Sequence, residues 1–187
     1  RVEPYIPTVE DVKRIFEASE GTMYEIPIKL AAQCGLRRGE IVALTIDDLS
    51  SDNVLTIDKD MEQDSDNNWV VRPPKNKGSI RKVYVPDDLA DKIRKQGYIY
   101  KGYPNSIYDW LSDTEKRLGI EHFSLHKMRH FFCSRLVENG IDERAFHTQR
   151  VRLSVNRLHD LVPTDRLDHR YAFIFLEAAD SAAHLHP

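Results

Sequence analysis

The first stretch of the chain alternates apolar and polar positions with a helical period. Val9, Val12, Ile15 and Phe16 fall on one face. Thr8, with Asp11 three places on, has the hydroxyl and the spacing to cap that helix at its start. A second helix is predicted from Met23 to Cys34 and stops at Gly35, a residue that tolerates the left-handed conformation of a helix C-terminus. Arg38 to Leu44 predicts a short third helix. From Asn53 the period changes to that of strands: Val54-Leu55-Thr56-Ile57, Trp69-Val70-Val71 and Ile80 to Val85 are separated by turns rich in Asn, Asp, Gly and Pro. Helices resume with Pro86-Asp87-Asp88, which opens one running through Lys95, and another covers Asn105 to Leu118 before Gly119. Ser124 caps a last one, apolar at Leu125, Phe132 and Leu136, that reaches Val137 and closes at Asn139-Gly140. The pattern predicts an α+β domain, mostly helical, with a small three-stranded antiparallel sheet inserted.

Composition bounds this picture without changing it. The 187 residues suit one domain, and 41% hydrophobic against 30% charged residues excludes a disordered or fibrous chain. No apolar run is long enough to cross a bilayer. Cys34 and Cys133 lie far apart in apolar helical patterns, the usage of reduced thiols in a cytoplasmic protein. The chain starts at Arg1, which suggests a piece of something longer. A net charge of -3 argues against indiscriminate binding of nucleic acid, so any such role needs a local basic patch. The last 44 residues stand apart: they hold 6 Arg, no Lys and five of the eight His. At the frequency of the preceding 143 residues about 3 Lys would be expected there.

Four segments could carry chemistry. Gly35-Leu36-Arg37-Arg38-Gly39-Glu40-Ile41 sets an arginine pair between two helices. Residues 72–82, Arg72-Pro73-Pro74-Lys75-Asn76-Lys77-Gly78-Ser79-Ile80-Arg81-Lys82, hold five cations and no acid. Leu125-His126-Lys127-Met128-Arg129-His130 puts His126 and Arg129 on one face near a helix start. Tyr171 is the fourth. Each has a plainer reading as well. Arg37 or Arg38 can be a surface cation bridging to Glu40, a basic hairpin can be a solvated turn, and a helical histidine can be structural. The His126/His130 pair one turn apart also raises a zinc hydrolase, but Lys127 stands where a zinc protease motif needs Glu.

Taken in order, Gly-Leu-Arg-x-x-Glu-Ile, a lysine in a β-turn before Arg-x-Val, and His-x-x-Arg followed by His-Phe-Phe resemble the catalytic domain of the tyrosine recombinases, the phage and conjugative-transposon integrases. The resemblance covers roughly residues 5–143. It implies a DNA breaking-rejoining enzyme fold and site-specific recombination of double-stranded DNA in the service of a mobile element. A tyrosine hydroxyl would attack a phosphodiester, form a 3′-phosphotyrosine and release a 5′-hydroxyl. The link conserves bond energy, so the chemistry implies neither ATP nor any other cofactor, and no metal. Arg37 and Arg129 would clamp the phosphate, a task that suits a planar fork charged at every working pH. Lys75, with Lys77 as runner-up, would protonate the leaving oxygen. His126 would hydrogen-bond the phosphate or assist proton transfer, and Glu40 would orient the first arginine. Lys77, Lys82 and Arg72 would contact DNA backbone without reading sequence. The resemblance further implies that this chain has lost a core-binding domain upstream of Arg1, and that four protomers assemble on two duplexes.

Beyond residue 143 the pattern breaks. The family places a Leu-Gly-His or Leu-Gly-Trp segment and then its nucleophile near positions 152 and 161, where this chain has Arg152 and Leu161. The one downstream tyrosine, Tyr171, stands 42 residues past Arg129. An insertion would make it the nucleophile, with His159 as the second histidine; otherwise it is a structural aromatic ahead of Phe173, Phe175 and Leu176. A third possibility is a tail, 144–187, read in a shifted frame: one base forward, permissive codons for Arg152-Leu153-Ser154 and Leu161-Val162-Pro163 can spell Gly-Tyr-Arg and a later tyrosine at the family's spacing. Such a chain would keep the phosphate clamp, lack the nucleophile, and bind DNA without cutting it.

Overall fold

The computed structural model describes residues 5–74, 79–138 and 176–177. Its elements run α1 (Val9–Ser19), α2 (Glu25–Cys34), α3 (Arg38–Ala43), a 3-10 turn (Ile46–Asp48), β1 (Val54–Ile57), β2 (Asp60–Gln63), β3 (Trp69–Arg72), β4 (Arg81–Tyr84), α4 (Asp87–Gln96), α5 (Ser106–Leu118), α6 (Leu125–Glu138) and a two-residue β5 (Leu176–Glu177). The class is the one the sequence predicts, α+β with helices dominant. Thr8 and Asp11 form a reciprocal capping box at α1, each side chain satisfying a backbone N–H of the other. The second helix starts at Glu25 instead of Met23, and Asn105 lies just outside α5.

The sheet departs from expectation. The three segments predicted to pair together divide between two antiparallel ladders. β1 pairs with β4, Val54 opposite Tyr84 and Ile57 opposite Arg81, and β4 in turn pairs with β5. β3 pairs instead with β2, a strand the pattern does not announce, Asp60 opposite Arg72 and Gln63 opposite Trp69. The reason is local. Asp-Met-Glu-Gln carries no β-branched residue, yet Asp64 closes a tight turn to Asn68: Asp64 N–H donates to the Asn68 carbonyl, and Asn68 N–H to Asp64 Oδ1, both at 2.9 Å. That turn brings the polar segment back along β3.

α2 lies in the core, with Ile26, Ile28, Leu30, Ala31, Ala32 and Cys34 all buried. Each of its large side chains contributes about 1.5–3 kcal/mol by leaving water. α2 ends at Gly35 in the left-handed region, φ 65°. A Cβ added there would lie 2.5 Å from Cδ1 of Phe132, so the absence of a side chain lets α6 pack directly against the end of α2. That close packing puts the residues after Gly35 beside those of α6.

Candidate phosphate-binding site

Arg37 is the N-cap of α3, with extended backbone, and Glu40 stands three places on. Glu40 Oε2 accepts the Arg37 N–H at 2.8 Å, while Oε1 lies 3.3 Å from Arg37 Nη1. The other partner of Glu40 comes from β4. Arg81 Nη1 and Nη2 bond Oε1 and Oε2 at 2.7 and 2.8 Å, a two-toothed pair in which Glu40 is 3% and Arg81 9% exposed. Burial alone would raise the Glu40 carboxyl. The bonds and charge of Arg81, joined by Arg37, outweigh it and hold Glu40 below its ordinary value. Glu40 is therefore already paired, and the Arg37 side chain, 45% exposed, keeps donors turned toward an open cleft.

One part of that cleft is lined by Arg37, Lys59, Asp60, Glu62, Arg72 and Ser79. The adjoining part is lined by Arg37, Arg38, Asp60, Gln63, Trp69, Tyr108 and His126. Arg37 is common to both. His126 enters from the first turn of α6, and Arg129 follows on the same face, half-buried, with Nη1 donating to the Gly35 carbonyl. Burial lowers the Arg129 pKa, and the charges of Arg81 and Arg37 lower it further. His126 is lowered by burial, then by His130, Arg129 and Arg37. The charge of Arg37 thus reaches both His126 and Arg129, and that of Arg81 reaches Arg129, with Glu40 the buried carboxylate beside them among the described residues. Such an environment favours an anion.

Asp60 adds the opposite charge at the rim. Burial raises its pKa, as do Glu40 and Glu62, while Arg37 opposes the rise. Its Oδ1 would lie 1.7 Å from a Cβ at position 39, so Gly39 is what lets β2 close onto α3.

The sequence-predicted residues divide as follows. Arg37, Arg72 and His126 line the cleft, whereas Arg129 is not among its lining residues and donates to the Gly35 carbonyl, two residues before Arg37. Lys82 is exposed on β4, on the face opposite Arg81, and is not among the lining residues of the described cleft. Lys75, Lys77, His159, Tyr171 and the tail 144–187 fall outside the described residues, apart from the backbone of β5. His126 and His130 meet edge to face at 4.6 Å, and among the described residues no group of three or more His, Cys, Asp or Glu comes together as metal ligands would. Cys34 and Cys133 are unbridged, and among the described residues no helix is long and apolar enough to cross a membrane. The sequence reading missed Arg81. Its signal was available in the strand alternation, since Arg81, Val83 and Val85 share the inward face.

Comparison with known proteins agrees with this fold. The solved Tn1549 transposon integrase in complex with a circular intermediate DNA superposes with a TM-score of 0.66 at 17% identity, over 78% of this chain and 57% of that one. At that identity the likeness is one of fold. The chain belongs to the phage integrase family, whose sequence model matches residues 7–149. Among curated relatives, tyrosine recombinase XerD of Rickettsia bellii is 26% identical, over 75% of this chain and 53% of its own length. A XerC-like tyrosine recombinase of Caldanaerobacter subterraneus is 25% identical, over 75% and 46%. The chain spans about half the length of these relatives.

Proposed function

We propose that this chain is the catalytic part of a recombinase that cuts and rejoins double-stranded DNA through a phosphotyrosine, as its family and the integrase–DNA complexes among its structural neighbours suggest. The observation that carries the reading is the meeting of Arg37 with His126 in one cleft, with Arg129 bonded to the Gly35 carbonyl two residues before Arg37. In the proposed reaction Tyr171 Oη loses its proton to water as it attacks the phosphorus, the bond to the 5′-oxygen breaks, and that oxygen takes a proton from Lys75 or Lys77. Arg37 and Arg129 offset the charge that builds on the non-bridging oxygens, and His126 donates to one of them. Arg72, Lys77 and Lys82 hold the flanking backbone. Assembly of four protomers on two duplexes, and a preceding DNA-binding half, belong to the same proposal.

A second reading is favoured by the tail, where Arg152 and Leu161 occupy the places of the family's expected motif and nucleophile. On that reading the chain binds DNA but does not cut it, and the tail is a frame-shifted copy of the usual one. Incubation with a nicked suicide duplex separates the two. An adduct that survives denaturation and disappears in Tyr171→Phe supports the enzyme. Salt-sensitive binding with no adduct supports the inactive module, and no binding at all contradicts both. Sequencing the coding DNA tests the shifted frame: the idea fails unless a one-base change restores a tyrosine near position 161.

A further inference from the structure

The adjacent arginines take different tasks. Both line the cleft, but Arg38 holds its guanidinium at the aromatic end, against Trp69 and Tyr108. Its guanidinium carbon lies 5.1 Å from the Trp69 ring centre and 4.7 Å from that of Tyr108. Its Nη1 donates to Asn105 Oδ1 at 2.5 Å. Trp69 opens β3, Asn105 is the N-cap of α5 and Tyr108 lies in its first turn, and the Trp69 ring meets Tyr103 edge to face at 6.0 Å. Asn105, which makes no side-chain cap on its own helix, spends its oxygen on Arg38 instead. A cation held between two rings and a side-chain carbonyl is committed, so its value lies in what it joins.

We propose that Arg38 is a positioning residue: with Trp69, Tyr108 and Asn105 it locks the β2–β3 ladder against the start of α3. The wall bearing Asp60, Glu62 and Arg72 then stands at a fixed distance from Arg37. The ladder register supports this, because Trp69 pairs with Gln63 and Arg72 with Asp60, so fixing one end of β3 sets where the other meets the cleft. Arg38 itself touches no phosphate. The inference rests on the cleft's proposed use in holding DNA, and its test has one arm that does not.

That arm is amide hydrogen exchange on the full chain. Arg38→Ala and Trp69→Ala are each expected to speed exchange across residues 60–72 about tenfold, with α2 amides unchanged. The double variant should go no further than either single one. The second arm is duplex-DNA affinity against salt. Each variant should lose about fivefold in affinity with an unchanged salt slope, since neither removes a phosphate contact. Should the alanine variants unfold, Arg38→Lys and Trp69→Phe are expected to give the same pattern at smaller amplitude. A salt slope reduced by about one phosphate in Arg38→Ala, with Trp69→Ala unaffected, would make Arg38 a direct DNA contact and overturn the proposal. Unchanged exchange in residues 60–72 overturns it too. If the wild-type chain binds no duplex, the recombinase reading fails, and the exchange arm alone decides whether Arg38 locks the hairpin.

Discussion

Glu40 is a charge kept in the interior by its partners. Removing it leaves Arg81 buried without a counter-charge, and breaking such a pair costs about 3–5 kcal/mol. Glu40→Ala should therefore lower the urea midpoint markedly, with Glu40→Gln less severe because it retains one acceptor. The pH dependence has a fixed sign. Glu40's folded pKa lies below its ordinary 4.5, so its stabilising contribution is complete above about pH 4.5. It is lost as pH falls through the lower folded value, and Glu40→Gln should flatten that limb of the stability curve. His126 runs the same way, at higher pH. Its folded pKa lies below 6.5, so at slightly acid pH the unfolded chain binds a proton that the folded one refuses, and stability drops as the pH is lowered. A bound phosphate favours the imidazolium. DNA binding should therefore take up a proton, and affinity should rise as pH drops from about 7 to 6. Titration in buffers of different ionisation enthalpy measures that uptake, and His126→Gln should reduce it. Uptake unaltered in the variant would remove His126 from the phosphate.

Among the elements, the contact of β2 with α3 is the tightest constraint on the cleft. Gly39→Ala places a methyl 1.7 Å from Asp60 Oδ1 and 2.8 Å from the Met61 carbonyl. The carboxylate can swing aside, but the backbone carbonyl must shift. We expect a loss of about 1–3 kcal/mol in stability, typical of overpacking, together with weaker DNA binding. An alanine variant with wild-type melting and affinity would show that the ladder is free to move. The helices were legible in the sequence because of the cap at Thr8, the periodic faces, and Gly35 and Gly119, both in left-handed conformation at helix ends. Pairing of the strands was not, because Asp60–Gln63 has no strand signature and its partner is chosen by the Asp64 turn. Arg81 was hidden for a different reason. In a run of five cations an arginine reads as solvated, and its inward direction follows only from counting alternate positions back from Val83 and Val85. The division of labour between Arg37 and Arg38 lies further from the sequence still, since Trp69 and Tyr108 reach Arg38 only through tertiary packing.

At the scale of the whole molecule, a chain of net charge -3 gathers cations where α2, α3, β4 and α6 meet. The motif spacing predicts Arg37, His126 and Arg129 as a set, and the bare Gly35 against Phe132 brings the end of α2 close to α6. The claim beneath the proposed chemistry is that Arg37 and Arg129 act on one phosphate. Duplex-DNA affinity measured over a salt series for wild type, Arg37→Gln, Arg129→Gln and the double variant tests it most directly. If both guanidiniums serve a single phosphate, each single variant lowers the salt slope by about one contact, and the double variant lowers it no further. The affinity losses would likewise be strongly non-additive. A double variant that loses two contacts, with additive losses in affinity, would put the arginines on separate phosphates and contradict the shared clamp.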